Sequence, residues 1–248
     1  KEIISKVVDK LIEAKNISVL TGAGVSAESG IATFRDPEGL WAKFNPQELA
    51  SIDGFMSNPE RVWSWYQYRV KIVNEAKPNR GHFALAEFEK LNNNFNLITQ
   101  NVDGLHQRAG SRNVIELHGS IIRNKCFSCN EIHYDLVIDK NQLNNCKYCN
   151  GLIRPDVVWF GEMLPEKEIE SAQVCASSSD VFFSIGTSAE VYPAADLPII
   201  AIRNGAFIIE INPNKTQLSD YVDLKISLPS GDVLPLIIEE YKKRKLIC

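Results

Sequence analysis

Ile17-Ser18-Val19-Leu20-Thr21-Gly22-Ala23-Gly24-Val25-Ser26-Ala27 is the stretch that decides the fold. Ile17 to Leu20 is a short, largely apolar run, the pattern of a buried strand. It passes directly into Gly22-Ala23-Gly24-Val25-Ser26-Ala27, a G-x-G-x-x-A turn. Glycines there let backbone N–H groups approach a pyrophosphate, and a following helix start favours its negative charge. A strict dinucleotide fingerprint also needs an acidic residue about 20 positions on, at the end of a second strand. That region reads Phe34-Arg35-Asp36-Pro37, a loop, so a nucleotide would be held differently from one in a dehydrogenase.

Further strands are expected at Asn96–Thr99, Val114–Leu117, Val181–Ile185 and Ala206–Ile211. Helical spacing marks Lys6 to Lys15, Gly81 to Leu91, Pro165 to Ser177, Ala194 to Arg203 and a last segment after Pro235. Short apolar strands alternating with helices predict an α/β fold with a parallel sheet covered on both faces. Two stretches break the alternation. Phe34 to Lys77 is aromatic-rich and reads as loop followed by helices, while Ile121 to Pro155 carries cysteines and many Asn. The expected division is a main domain of residues 1–34, 78–119 and 156–248 and a small domain of 35–77 and 120–155.

Composition excludes several classes. Against 31 acidic residues there are 27 basic ones, so no strong positive field exists to hold nucleic acid or an anionic membrane. No window of about 18 apolar residues occurs, so no spanning helix is expected. Charge is mixed into the first residues, unlike a signal peptide. A soluble, cytoplasmic protein with neither nucleic-acid nor membrane partner is the expectation.

Four of the six cysteines form two pairs, Cys126-x-x-Cys129 and Cys146-x-x-Cys149. Each pair places two thiolates on one tight turn, and two such knuckles close a sulfur tetrahedron around Zn²⁺. Four protein ligands leave no open position, so the site is structural; an iron–sulfur cluster and a redox pair are the alternatives. After the strand Asn96–Thr99 comes a polar run, Gln100-Asn101-Val102-Asp103-Gly104-Leu105-His106, at the strand end where ligands bind in open α/β sheets. Its amides and carboxylate suit a carboxamide and ribose hydroxyls; an Asx turn at Asp103-Gly104 is the plainer reading. His118 follows a strand and precedes Gly119, a place suited to a general base. His82, His106 and His133 read first as structural.

Together these motifs resemble one family, the sirtuins, NAD-dependent protein lysine deacylases. Gly22 to Ile31 with Phe34-Arg35-Asp36 is similar to the family's longest motif, Thr99 to His106 to its second and Leu117-His118-Gly119 to its third. The cysteines match its zinc module, and Pro155 to Glu162 looks like its peptide-binding strand. The resemblance runs from about residue 5 to about 240. It implies a Rossmann-like domain with an inserted small zinc-binding and helical domain, with NAD and one structural Zn²⁺ as cofactors. It implies contacts to NAD from Gly22, Ala23, Gly24, Ser26, Phe34, Arg35, Gln100, Asn101, Asp103, Gly186, Thr187, Ser188, Asn212 and Ser230. His118 would be the catalytic base, acting on a ribose hydroxyl after nicotinamide leaves, with acylated ADP-ribose as product. Val158, Trp159, Phe160 and Gly161 would hold the acyl-lysine of a protein as an added strand. Tyr66 and Arg69, at i,i+3 on one helix face, resemble the pair in the class that removes succinyl, malonyl and glutaryl groups. An ordinary aromatic helix face with Arg69 at its edge is the alternative. At the level of function the alternatives are a plain deacetylase, an ADP-ribosyltransferase and a non-enzymatic NAD sensor.

Overall fold

A computed structural model of the chain describes residues 2–34, 40–133 and 145–246. Helix α1 (Glu2–Glu13) leads to strand β1 (Ile17–Thr21) and the one-turn α2 (Gly24–Ala27). Short helices α3 (Leu40–Lys43), α4 (Pro46–Leu49) and α5 (Ile52–Ser57) precede the long α6 (Pro59–Glu75) and α7 (Arg80–Leu91). Then come β2 (Phe95–Thr99), α8 (Leu105–Arg108), β3 (Val114–Glu116), β4 (Gly119–Cys126), β5 (Ile132–His133) and β6 (Ile153–Val157). The chain continues through α9 (Glu166–Ser178), β7 (Val181–Ile185), α10 (Leu197–Arg203), β8 (Phe207–Ile211), β9 (Leu224–Ile226) and α11 (Ser230–Lys245).

Six strands form a parallel sheet in the order β3-β2-β1-β7-β8-β9. This is the Rossmann-like α/β arrangement, with the strand order reversing between β1 and β7. The mostly apolar composition of the central strands follows from burial on both faces. In β1, Ile17 and Val19 join a cluster with Val7, Val8 and Leu11 of α1, Leu85 of α7 and Ile237 of α11. Leu20 of the same strand points to the opposite cluster, with Ala172 and Ala176 of α9 and Leu197 of α10. No helix among the described residues is long and apolar enough to cross a membrane.

Three features differ from the sequence expectation. An antiparallel sheet, β5-β4-β6, occupies Gly119 to Val157, where the only strand expected was the one the resemblance marked from Pro155 on. Its strands carry Arg123, Asn124 and Lys125 on β4 and Arg154 and Asp156 on β6, so no apolar run betrays them. Strand β9 is a three-residue edge strand interrupted by Lys225. Helix α11 begins at Ser230, with Pro235 inside it rather than before it. Proline removes only the bond to the carbonyl four residues earlier, here Gly231 in the first turn. Glu28 anchors that turn by accepting from the Gly231 N–H at 2.8 Å.

Both sequence inserts share one apolar cluster. It gathers Leu49, Phe55, Val62, Trp63, Trp65 and Tyr66 with Ile121, Ile153, Val157 and Trp159, and the Trp63 indole donates to the Ile153 carbonyl at 3.0 Å. At its edge the Sγ atoms of Cys126, Cys129, Cys146 and Cys149 lie within 4.8 Å of one another. A tetrahedral zinc with Zn–S of about 2.3 Å needs sulfurs about 3.8 Å apart, and two of the contacts here are 3.4 and 3.7 Å. The knuckles are matched: Asn130 (φ 58°) and Asn150 (φ 62°) follow Cys129 and Cys149 in left-handed conformation. Backbone N–H groups of Ser128 and Tyr148 point at the sulfurs of Cys126 and Cys146. Geometry and donor set fit a structural zinc. Because the binding energy of such a metal is folding energy, Cys126→Ala or Cys149→Ala is expected to unfold this part of the chain. Metal analysis of wild type should return about one zinc per chain. Full thermal stability after chelation would contradict the assignment.

Candidate active site

Strand ends create the site. β1 and β7 stop in register at Thr21 and Ile185 and open into two glycine turns. The Gly22 N–H donates to the Ile185 carbonyl at 3.0 Å, and the Gly24 N–H to the Gly186 carbonyl at 2.8 Å. A Cβ on Gly22 would stand 2.7 Å from the Thr187 Cβ, and one on Gly24 would stand 2.8 Å from the Gly186 Cα. Gly186 itself has φ 60°. The glycines are thus needed for chain-to-chain contact as well as for an exposed cradle of backbone. Above them lies a cavity of about 810 Å³.

Most of the expected site residues line this cavity: Gly22, Ala23, Gly24 and Phe34, Tyr66 and Arg69, Gln100 and Asn101, His118, Val158 to Gly161, Gly186 to Ser188, and Asn212. Arg35 lies outside the described residues. Ser26, Asp103 and Ser230 do not line it. Ser26 and Asp103 sit behind the wall as a brace. The Ser26 hydroxyl donates to Asp103 Oδ2 at 2.7 Å, the Leu105 N–H donates to Oδ1 at 2.9 Å, and Asn101 Nδ2 donates to Ser26 Oγ and the Gly22 carbonyl. The Asx turn is therefore present. Burial raises the Asp103 carboxyl above its ordinary value, opposed by these bonds and by Arg69 and Arg108. Ser230, the first residue of α11, packs its buried hydroxyl beside Gly81 at the start of α7.

Polar contacts tie the remaining groups together. Gln100 Nε2 donates to the Thr187 hydroxyl at 2.9 Å, and Asn212 Nδ2 donates to the Thr187 carbonyl at 3.0 Å. His118 occupies the turn between β3 and β4. Its Nδ1 stands 3.0 Å from the Gln100 carbonyl, which can only accept, so Nδ1 carries the proton and Nε2 keeps its lone pair. Its own carbonyl accepts from the Val158 N–H at 3.0 Å. Burial lowers the His118 pKa from 6.5, opposed by Gln100. The ring is neutral at pH 7 and able to take a proton. Gly119 has φ 75° and packs so closely on the Asp156 carbonyl that a Cβ would clash.

At the other end, α6 presents Tyr66 and Arg69. Arg69 is 7% exposed, with its guanidinium carbon 5.2, 4.8 and 5.8 Å from the ring centres of Phe34, Trp65 and Tyr66. No carboxylate or carbonyl among the described residues accepts a hydrogen bond from it. Burial raises the Tyr66 phenol above its ordinary value, keeping the hydroxyl protonated. The segment Val158–Gly161 is not a regular strand: β6 ends at Val157, and the Phe160 N–H already donates to the Ala50 carbonyl. Sequence reasoning stopped at Asn212 and missed the loop 213–217, which also lines the cavity. Its position directly after a parallel strand was the available signal.

A family model described as the Sir2 family matches residues 22–193. NAD-dependent protein deacylase 2 of Pyrobaculum aerophilum is 47% identical over 241 residues, covering 96% of this chain and 96% of that protein. The solved complex of a Sir2 homologue with NAD is similar at TM-score 0.91 and 45% identity, covering 97% of this chain and 94% of that one. A Sir2–p53 peptide–NAD⁺ complex is similar at TM-score 0.84 and 34% identity, covering 97% and 99%. On the family match, the identity to a curated relative and the shared fold, the chain belongs to the Sir2 family.

Proposed function

We propose that the chain is an NAD-dependent protein-lysine deacylase whose acyl pocket selects acidic groups such as succinyl, malonyl and glutaryl, with acetyl removed more weakly. Family membership and the relatives' activity support the deacylase reading. The observation that carries the acyl preference is the Arg69 guanidinium, buried at the cavity wall with no acceptor among the described residues. When bound, NAD supplies the electrophilic ribose carbon that receives the acyl group and the nicotinamide that leaves.

The chain's residues divide the remaining work. The glycine turns at 22–24 and 186 leave backbone exposed for phosphates, and Gln100, Asn101 and Asn212 offer amides fixed by their own hydrogen bonds. Phe34 covers the acyl end and excludes water. His118 takes a ribose hydroxyl proton on Nε2, the nitrogen left free by Gln100. A substrate carboxylate buried without a partner would lose several kcal/mol in desolvation. Arg69 offsets that loss with a planar fork of donors, about 1.5–3 kcal/mol for charge-assisted hydrogen bonds.

Three outcomes follow. For His118→Ala, turnover should drop by about 10²–10⁴-fold, the usual contribution of a general base, with fold and zinc retained. In wild type, kcat/KM should fall on acidification through a pKa below the ordinary histidine value of 6.5, because burial disfavours the imidazolium. An acid limb at or above 6.5 would argue against His118 as the base. For Arg69→Met, kcat/KM on a succinyl-lysine peptide should fall about 10–150-fold at 1.4 kcal/mol per decade, without a matching loss on the acetyl version of that peptide. Equal losses on both would return Arg69 to a packing role.

A further inference from the structure

Tyr66 has one hydroxyl proton, and the structure determines where it cannot go. The Trp159 indole Nε1–H donates to the Tyr66 oxygen at 2.9 Å inside the core. Indole nitrogen donates only, so the Tyr66 oxygen is the acceptor and its own proton must point elsewhere. No acceptor for it exists among the described residues, and Tyr66, 1% exposed, meets open space only at the cavity.

Trp159 is itself unusually constrained. It is 2% exposed, and the Arg154 guanidinium carbon sits 3.3 Å from its ring centre, a stacked cation–π contact. Phe55 packs on it at 5.2 Å between ring centres. Arg154, also 2% exposed, pairs through both terminal nitrogens with Glu162, and one of them also reaches the Val157 carbonyl. The second Glu162 oxygen accepts from the Trp159 backbone N–H at 2.7 Å. Burial opposes ionisation of Glu162, but the Arg154 pair holds its carboxyl below the ordinary value. One ion pair therefore fixes both the backbone and the ring of Trp159.

We propose that Trp159, clamped by Arg154 and Glu162, is a positioning residue for acyl selectivity: its indole N–H turns the Tyr66 hydroxyl so that the phenol donates into the cavity beside Arg69. Without the indole donor the phenol can rotate its proton away, and the pocket presents an oxygen lone pair to an incoming carboxylate. The proposal rests on the acidic-acyl reading given above and gives the Trp159 side chain a role separate from the backbone contact expected of Val158 to Gly161. It also explains why a tryptophan rather than a smaller aromatic ring suits position 159, since phenylalanine fills space but donates nothing.

The test combines spectroscopy and a double-mutant cycle. In protein labelled with ¹⁵N at indole nitrogens, the resonance missing from Trp159→Phe identifies Trp159. Tyr66→Phe should move that resonance and speed its exchange with solvent; an unmoved resonance would overturn the bond and the proposal together. In kinetics, Trp159→Phe should reduce the succinyl-to-acetyl ratio of kcat/KM by about threefold to tenfold, the range of a neutral hydrogen bond. It should have no further effect on that ratio in the Tyr66→Phe background. If the two changes add, or the ratio holds while Arg69→Met still abolishes the preference, the positioning role is wrong and the acyl reading stands. If Arg69→Met lowers both substrates equally, the acyl reading fails and takes this proposal with it. Should Trp159→Phe fold poorly, replacing the other three tryptophans one at a time assigns Trp159 by elimination, and Glu162→Gln takes its place in the cycle.

Discussion

Two turns of backbone, Gly22–Gly24 and Gly186–Thr187, meet so closely at the carboxyl edge of the parallel sheet that a Cβ on Gly22, Gly24 or Gly186 would clash. This contact sits where the strand order reverses, between β1 and β7. Chains diverging from such a point leave a crevice. The absence of side chains keeps its floor open to a ligand's phosphates and lets Thr187 collect bonds from Gln100 and Asn212. The Gln100 carbonyl in turn sets the protonation of His118. Cradle, amide contacts and base thus descend from one packing constraint.

The end of the cavity lined by Tyr66 and Arg69, proposed to take the acyl group, depends on a different source of rigidity. Helix α6 and the antiparallel sheet share an apolar cluster, and the paired cysteines close that sheet from its far side. Arg69 is costly to bury, and three aromatic faces only partly compensate it. A cluster that could relax would let the guanidinium reach water. Cys126 and Cys146 belong to that same cluster, so a metal held by the cysteines would restrain it. The Arg108 guanidinium adds to the hold by donating to the Val73 and Ala76 carbonyls at the end of α6, which links the Asn101–Asp103 segment to the helix bearing Tyr66 and Arg69.

What the sequence made legible follows the range of the interactions. β1, β2, β7 and β8 could be read because burial on both faces leaves them mostly apolar, each interrupted by one polar residue, Ser18, Asn96, Ser184 or Glu210. The cysteine spacing could be read because each knuckle is local. His118 stood out by its place at a strand end, whereas Tyr66 and Arg69 stood out through the family resemblance, since their spacing alone reads as an ordinary aromatic helix face. β4 could not be read from the residues, nor β6 apart from the resemblance at Pro155, since Asn124 and Arg154 become buried only when strands distant in sequence pair. Pro235 misled because a proline in the first turns of a helix resembles one before it. The brace of Ser26 on Asp103, and the turn of Tyr66 by Trp159 across 93 positions, are products of tertiary contact that no spacing encodes.

The central claim is that one cavity joins a cofactor cradle, a neutral histidine and a buried cation waiting for a carboxylate. A crystal structure with a succinyl-lysine peptide bound tests it most directly. The account predicts the succinyl carboxylate within hydrogen-bonding distance, about 2.7–3.0 Å, of both the Arg69 guanidinium and the Tyr66 hydroxyl, with the lysine amide between them and His118. A carboxylate turned to solvent, with Arg69 paired to a residue of its own chain, would contradict it.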